Sequence, residues 1–105
     1  MSISITPSGS SDARLLGCAG EIDVSNAAVL RDALNQALDE GVTSLEADLA
    51  EVSYIDSTGI GVLVGAAHRA KESGVSFTVS HPQRNVERVL SLLGVAGELG
   101  VDEAR

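Results

Sequence analysis

The stretch Asp56-Ser57-Thr58-Gly59-Ile60-Gly61 sets an acid, two hydroxyls and two glycines close together. An acid precedes a hydroxyl at the start of an apolar helical turn, and two glycines follow inside that turn. Each glycine costs up to about 1 kcal/mol of helix propensity relative to alanine, so a compensating close approach of another backbone or a partner surface is expected. Enzyme chemistries fail on spacing. A nucleophile elbow needs Gly-x-Ser-x-Gly, but Ile55 stands two residues before Ser57. A phosphate loop needs Gly-Lys-Ser/Thr, which the sequence lacks. Gly59, Gly61 and Gly65 weakly resemble a dinucleotide fingerprint, yet Val79 and Ser80 stand where an acidic residue would bind ribose. Asp23 and Asp56 could work as paired carboxylates, although no spacing fixes their separation. No motif supplies a nucleophile, a base and oxyanion donors together, which points away from an enzyme. The plain reading of Ser57 is a helix N-cap, worth roughly 1 kcal/mol.

Composition narrows the partners. The 105 residues make one domain, and 7 basic against 15 acidic side chains leave a net charge of −8. That charge repels a phosphate backbone, and Tyr54 and Phe77, the only aromatics, offer no platform for bases, so no direct nucleic-acid binding is expected. Cys18 is alone, which excludes an internal disulfide, and Cys18, His68 and His81 lack zinc-ligand spacing, so neither metal nor cofactor is expected. Cys18 reads as a small buried hydrophobe and the two histidines as solvated. There is no apolar run of about 20 residues and no secretory pattern, so no membrane association is expected and the cytoplasm is the expected location.

The elements that must position the hydroxyl follow from periodicity. Ser2-Ile3-Ser4-Ile5-Thr6 alternates as a strand, 7–12 is rich in turn formers, and 13–19 forms the second arm of a hairpin that Gly20 ends. Ser25 or Asn26 caps a helix carrying Leu30, Leu34, Ala37 and Leu38, which Gly41 stops. Leu45, Ala47 and Leu49 alternate with Ser44, Glu46 and Asp48 as a half-buried strand, with Ser53-Tyr54-Ile55 as a short continuation. A second helix starts at Ser57 with Ile60, Leu63, Val64 and Ala67 on one stripe, and Ser73-Gly74 closes it. Val75, Phe77 and Val79 mark a further strand, and after His81-Pro82 a third helix carries Val86, Val89, Leu90 and Leu93. The residues after Gly94 are ambiguous, with 101–105 a loose tail. This order predicts an α/β fold: a mixed sheet of about four strands with helices mainly on one face. The loops at Asp23 and at Asp56-Ser57 each follow a strand and precede a helix, so they should be neighbours on one rim.

Gly20-Glu21-Ile22-Asp23, then Asp48-Leu49 leading through Val52-Ser53-Tyr54-Ile55 into Asp56-Ser57-Thr58-Gly59-Ile60-Gly61, resembles a STAS domain of the bacterial anti-sigma factor antagonist family. The resemblance spans nearly the whole chain and implies a binding switch. It implies that Ser57 is phosphorylated by an anti-sigma factor that is an ATP-dependent serine kinase, and that a serine phosphatase reverses this. The unmodified form then binds the anti-sigma factor and frees the sigma factor. Thr58 is a weaker acceptor. Asp23, Ser25, Asp56, Ser57, Thr58, Gly59 and Gly61 would form the docking rim, with Gly59 and Gly61 admitting the partner closely. The oligomeric state implied is a monomer or weak dimer. The rival reading is a STAS scaffold or accessory subunit of a signalling or lipid-transport complex, with no serine switch. An enzyme or nucleotide-binding domain is a third, resting only on Ser57 and the glycines.

Overall fold

The structure is a computed structural model, which describes residues 2–97 and 99–100. Four strands lie in the order β1-β2-β3-β4. Strands β1 (Ile3–Gly9) and β2 (Ala13–Ile22) pair antiparallel, and β3 (Ser44–Ile55) and β4 (Ser76–Ser80) extend the sheet in parallel. Helices α1 (Ala27–Asp39) and α2 (Ser57–Glu72) pack side by side over this sheet, while α3 (Arg84–Leu92) lies against β3. The mixed α/β architecture expected from periodicity is the one observed.

The core forms where the two periodicities meet. Leu45, Ala47 and Leu49 of β3 are buried with Leu30 and Leu34 of α1 and Leu63 of α2, and each fully buried leucine stabilises by about 1.5–3 kcal/mol. Between them Ser44, Glu46 and Asp48 stay half-buried on the alternate positions, as a one-sided sheet requires. Cys18 is inside this core, where burial, with the Asp48 charge adding to it, pushes its thiol up to about 12. It is an unreactive packing residue.

Three features depart from the sequence reading. The hairpin turn is shorter than expected, because Pro7, Ser8 and Gly9 continue β1 opposite Leu16, Leu15 and Arg14; proline is tolerated there because β1 is an edge strand. Strand β2 does not end at Gly20. That glycine takes φ +108°, and an ideal Cβ would lie 2.2 Å from the Ser2 carbonyl oxygen, so glycine is required. The irregularity there lets the strand resume pairing at Glu21 with Tyr54 and Ile22 with Ile55. Leu93, expected on the buried stripe of α3, is the exposed C-cap instead. Gly94 takes φ +72° just beyond it, so the helix closes before Leu93 can turn inward.

Strand β3 outruns β4, so beyond Asp48 its β4-facing carbonyls have no strand partner among the described residues. Side chains of the α3 entry meet two of them. Gln83 Nε2 donates to the Ala50 oxygen at 2.9 Å and Asn85 Nδ2 to the Ser53 oxygen at 2.8 Å. The ambiguous stretch at 95–100 seats Leu99 in the core, and its carbonyl accepts from Val79 N at 3.2 Å. The expected tail at 101–105 lies outside the described residues.

Candidate functional site

Two loops meet at the carboxyl ends of β2 and β3. Because the irregularity at Gly20 restores the register, Ile22 and Ile55 end their strands side by side, and Asp56 N donates to the Ile22 oxygen at 3.0 Å. Asp56 then takes extended backbone and caps α2, its Oδ1 accepting from Gly59 N at 3.0 Å. Its Oδ2 accepts from Val24 N in the other loop at 3.2 Å. One carboxylate thus joins the two loops, and with both oxygens engaged by backbone N–H groups it is a structural clamp rather than a base for Ser57.

The N-cap is therefore Asp56 and not Ser57, which occupies the first helical position. The sequence reading is off by one residue because aspartate and serine both cap well and adjoin here. The consequence favours modification. The Ser57 side chain is exposed, and its hydroxyl has no hydrogen-bond partner among the described residues. The N–H groups of Ser57 and Thr58 are likewise without a backbone acceptor among them, whereas Gly59 N and Ile60 N are used by Asp56. A helix start with two free donors favours an anion.

The first loop is built by Asp23 and Asn26. Asp23 Oδ1 accepts from both the N–H and the hydroxyl of Ser25, which hold its carboxyl below the usual carboxylate range. Ser25 does not cap α1. Asn26 occupies the N-cap position without a capping side-chain bond, and turns its amide back into the loop. Its Oδ1 accepts from Asp23 N at 2.9 Å and its Nδ2 donates to the Glu21 oxygen at 2.8 Å. At 7% exposure Asn26 is a buried brace that sequence reasoning missed, since it reads there only as a possible cap.

Asp23, Ser25, Asp56, Ser57 and Thr58 are thus assembled on adjoining loops. The two glycines part company. Gly59 is buried, and an ideal Cβ there would lie 2.6 Å from Ile22 Cγ2 and 2.8 Å from Ile55 Cγ1, so this glycine serves the core rather than a partner's approach. Gly61 is exposed, with nothing among the described residues within 4 Å of its Cβ position. Val24, 76% exposed, and Tyr54, 50% exposed, add apolar surface beside the rim.

Two predictions test this construction. Asp56→Ala is expected to cost about 1–2 kcal/mol in urea unfolding, because it removes the cap and the tie to Val24 together. Asp23 has a folded pKa below its unfolded value, so its contribution is fully present above about pH 4 and is lost as pH falls through the folded pKa. Urea unfolding at pH 5 and pH 3 should therefore show a smaller drop in stability for Asp23→Asn than for wild type; an equal drop would show that the Ser25 bonds do not matter.

This fold and rim define a STAS domain. The sequence matches the family described as Mlab, STAS domain over residues 5–101. It is 39% identical over 77 residues to the anti-sigma-B factor antagonist of Bacillus subtilis (strain 168), covering 73% of this chain and 70% of that one. The chain belongs to the STAS domain family and, within it, to the anti-sigma factor antagonists. An anti-sigma factor antagonist from Mycobacterium paratuberculosis has the same fold, with TM-score 0.87 and 22% identity over 98% of this chain and 87% of that one. So does the Bacillus cell fate determinant SpoIIAA in its phosphorylated form, with TM-score 0.75 and 18% identity over 97% and 92%. No helix among the described residues is long and apolar enough to cross a membrane.

Proposed function

We propose that the unphosphorylated protein binds an ATP-dependent anti-sigma factor serine kinase through the rim around Ser57 and so releases a sigma factor. Phosphorylation of Ser57 switches this binding off, and a serine phosphatase restores it, in the cytoplasm and with no catalysis by this chain. The observation that carries the reading is the exposed, unbonded Ser57 hydroxyl at the first position of α2, held by the Asp56 clamp. A phosphate there meets free N–H groups on its own side and adds about −1.5 to −2 charges on the partner's side. That asymmetry changes binding without unfolding the domain. SpoIIAA solved in its phosphorylated form has the same fold, which supports the expectation that a phosphate leaves the domain folded.

The test is affinity capture from native lysate with wild-type, Ser57→Ala and Ser57→Asp baits. The reading expects an ATP-binding serine kinase held by the alanine bait and much less by the aspartate bait. The rival reading is a STAS scaffold or accessory subunit of a larger complex with no serine switch. It expects all three baits to hold one non-kinase complex, with Ser57 never modified.

A further inference from the structure

Asn26 is buried although it stands in the loop between β2 and α1 and belongs to neither element. Burying a carboxamide is unfavourable unless its atoms are bonded, and here both ends of the amide hold backbone of the same loop. Oδ1 accepts from Asp23 N at 2.9 Å and Nδ2 donates to the Glu21 oxygen at 2.8 Å. The backbone closes the loop from the other side, since Asn26 N at 3.1 Å and Ala27 N at 2.8 Å both donate to the Asp23 oxygen. Residues 21–26 are thus wound around one side chain, with Val24 at the second position of the turn that the Asn26 N bond closes. The Val24 side chain is exposed, so the bonds of the loop rather than packing aim its N–H. That N–H reaches Asp56 Oδ2 at 3.2 Å, and Asp56 Oδ1 in turn holds Gly59 N at 3.0 Å in the first turn of α2.

We infer that Asn26 is a positioning residue for Ser57. Its buried amide holds the 21–26 loop in the shape that presents the Val24 N–H to Asp56, and that tie fixes the carboxylate from which α2 and Ser57 start. The tie between the loops stands on the contacts themselves; its consequence for phosphorylation rests on the antagonist reading and deepens it. A phosphoryl acceptor must be held in line with its donor, and a displacement of about 1 Å can slow such a step by about 100-fold. A side chain that touches neither Ser57 nor a partner thereby governs how fast Ser57 is modified.

The experiment breaks the tie from each end. Serine caps helices well but ends one bond short of both amide atoms, so Asn26→Ser should fold without the brace. Asn26→Asp, of the same shape, keeps the acceptor for Asp23 N and loses only the donor to Glu21. Amide exchange is followed by NMR in wild type, both Asn26 variants, Asp56→Ala and the Asn26→Ser/Asp56→Ala double variant. Exchange at Val24, relative to that at Ala47 and Leu49 of β3, is expected to rise about tenfold in Asn26→Ser and in Asp56→Ala, and no further in the double variant, because both break one bond. Asn26→Asp should fall between wild type and Asn26→Ser. A folded Asn26 variant with Val24 exchange unchanged, or single effects that multiply in the double variant, would overturn the inference. Incubated with Mg-ATP and the anti-sigma factor recovered on the Ser57→Ala bait, Asn26→Ser should gain phosphate on Ser57 about tenfold more slowly than wild type at saturating protein. An equal rate would overturn the positioning of Ser57 while leaving the switch in place. If wild type itself gains no phosphate, the antagonist reading fails and the role toward Ser57 fails with it, whatever Val24 shows.

Discussion

Phosphorylated on Ser57, the protein is expected to bind its anti-sigma factor at least about 100-fold more weakly than the unmodified form, while Ser57→Ala binds as wild type does. The expectation follows from where the charge goes. In the free protein the phosphate is solvated and faces two open N–H donors at the start of α2, so its cost to the fold is small. In the complex it would be taken from water into a contact flanked by Val24 and already beside Asp56 and Asp23. Leaving a charge desolvated and unpaired costs about 3–5 kcal/mol, and 100-fold in affinity needs only about 2.8 kcal/mol of that. Ser57→Asp carries one charge instead of nearly two and sits closer to the backbone, so its loss should be smaller, about tenfold. Because Asp56 and not Ser57 provides the cap, Ser57→Ala should unfold within about 0.5 kcal/mol of wild type. Calorimetric titration of the three proteins and a urea melt of each supply both comparisons.

Gly59 and Gly61, two residues apart on α2, are expected to respond to alanine with opposite signs. At Gly59 the new methyl would lie 2.6 Å from Ile22 Cγ2 and 2.8 Å from Ile55 Cγ1, inside van der Waals contact. Both isoleucines are buried at the ends of β2 and β3, so they cannot withdraw into solvent. Overpacking of this kind costs about 1–3 kcal/mol, which outweighs the propensity gain of up to about 1 kcal/mol, and Gly59→Leu should do worse. The strain falls on the strand ends that carry Asp23 and Asp56, so Gly59→Ala should also weaken partner binding. At Gly61 no such neighbour exists among the described residues, and Gly61→Ala should gain up to about 1 kcal/mol, about 4–8 °C in a domain of this size. Equal effects of the two substitutions would show that Gly59 is not packed against the strands as described.

The strands and helices were legible because their burial is periodic. Leu45, Ala47 and Leu49 declare a one-sided strand, and Leu30, Leu34, Ala37 and Leu38 a helix face, before any tertiary contact is known. The placement of Asp23 and Asp56-Ser57 on one rim was legible for the same reason, since both loops lie between a strand and a helix. What escaped depends on partners distant in sequence. Gly20 looks like a strand end and is a required bend, because its neighbour is the carbonyl of Ser2, just before the adjoining strand. Asn26 looks like a cap and is a brace, because its partners are backbone groups of Glu21 and Asp23. The carboxylate of Asp56 reaches Val24 across 32 positions of sequence, a tie that no local spacing announces. The opposite fates of Gly59 and Gly61 turn on which side of α2 faces the strand ends, and that is settled by packing rather than by residue type.

The most direct test of the switch is to mix the purified protein with the captured anti-sigma factor and Mg-ATP, then follow the complex by native mass spectrometry while mapping the phosphate by peptide fragmentation. The expected result is a single phosphate on Ser57, appearing in step with dissociation of the complex, and no phosphate and no dissociation for Ser57→Ala. A phosphate placed on Thr58 or Ser25 instead, or a complex that persists with Ser57 fully phosphorylated, would contradict the account.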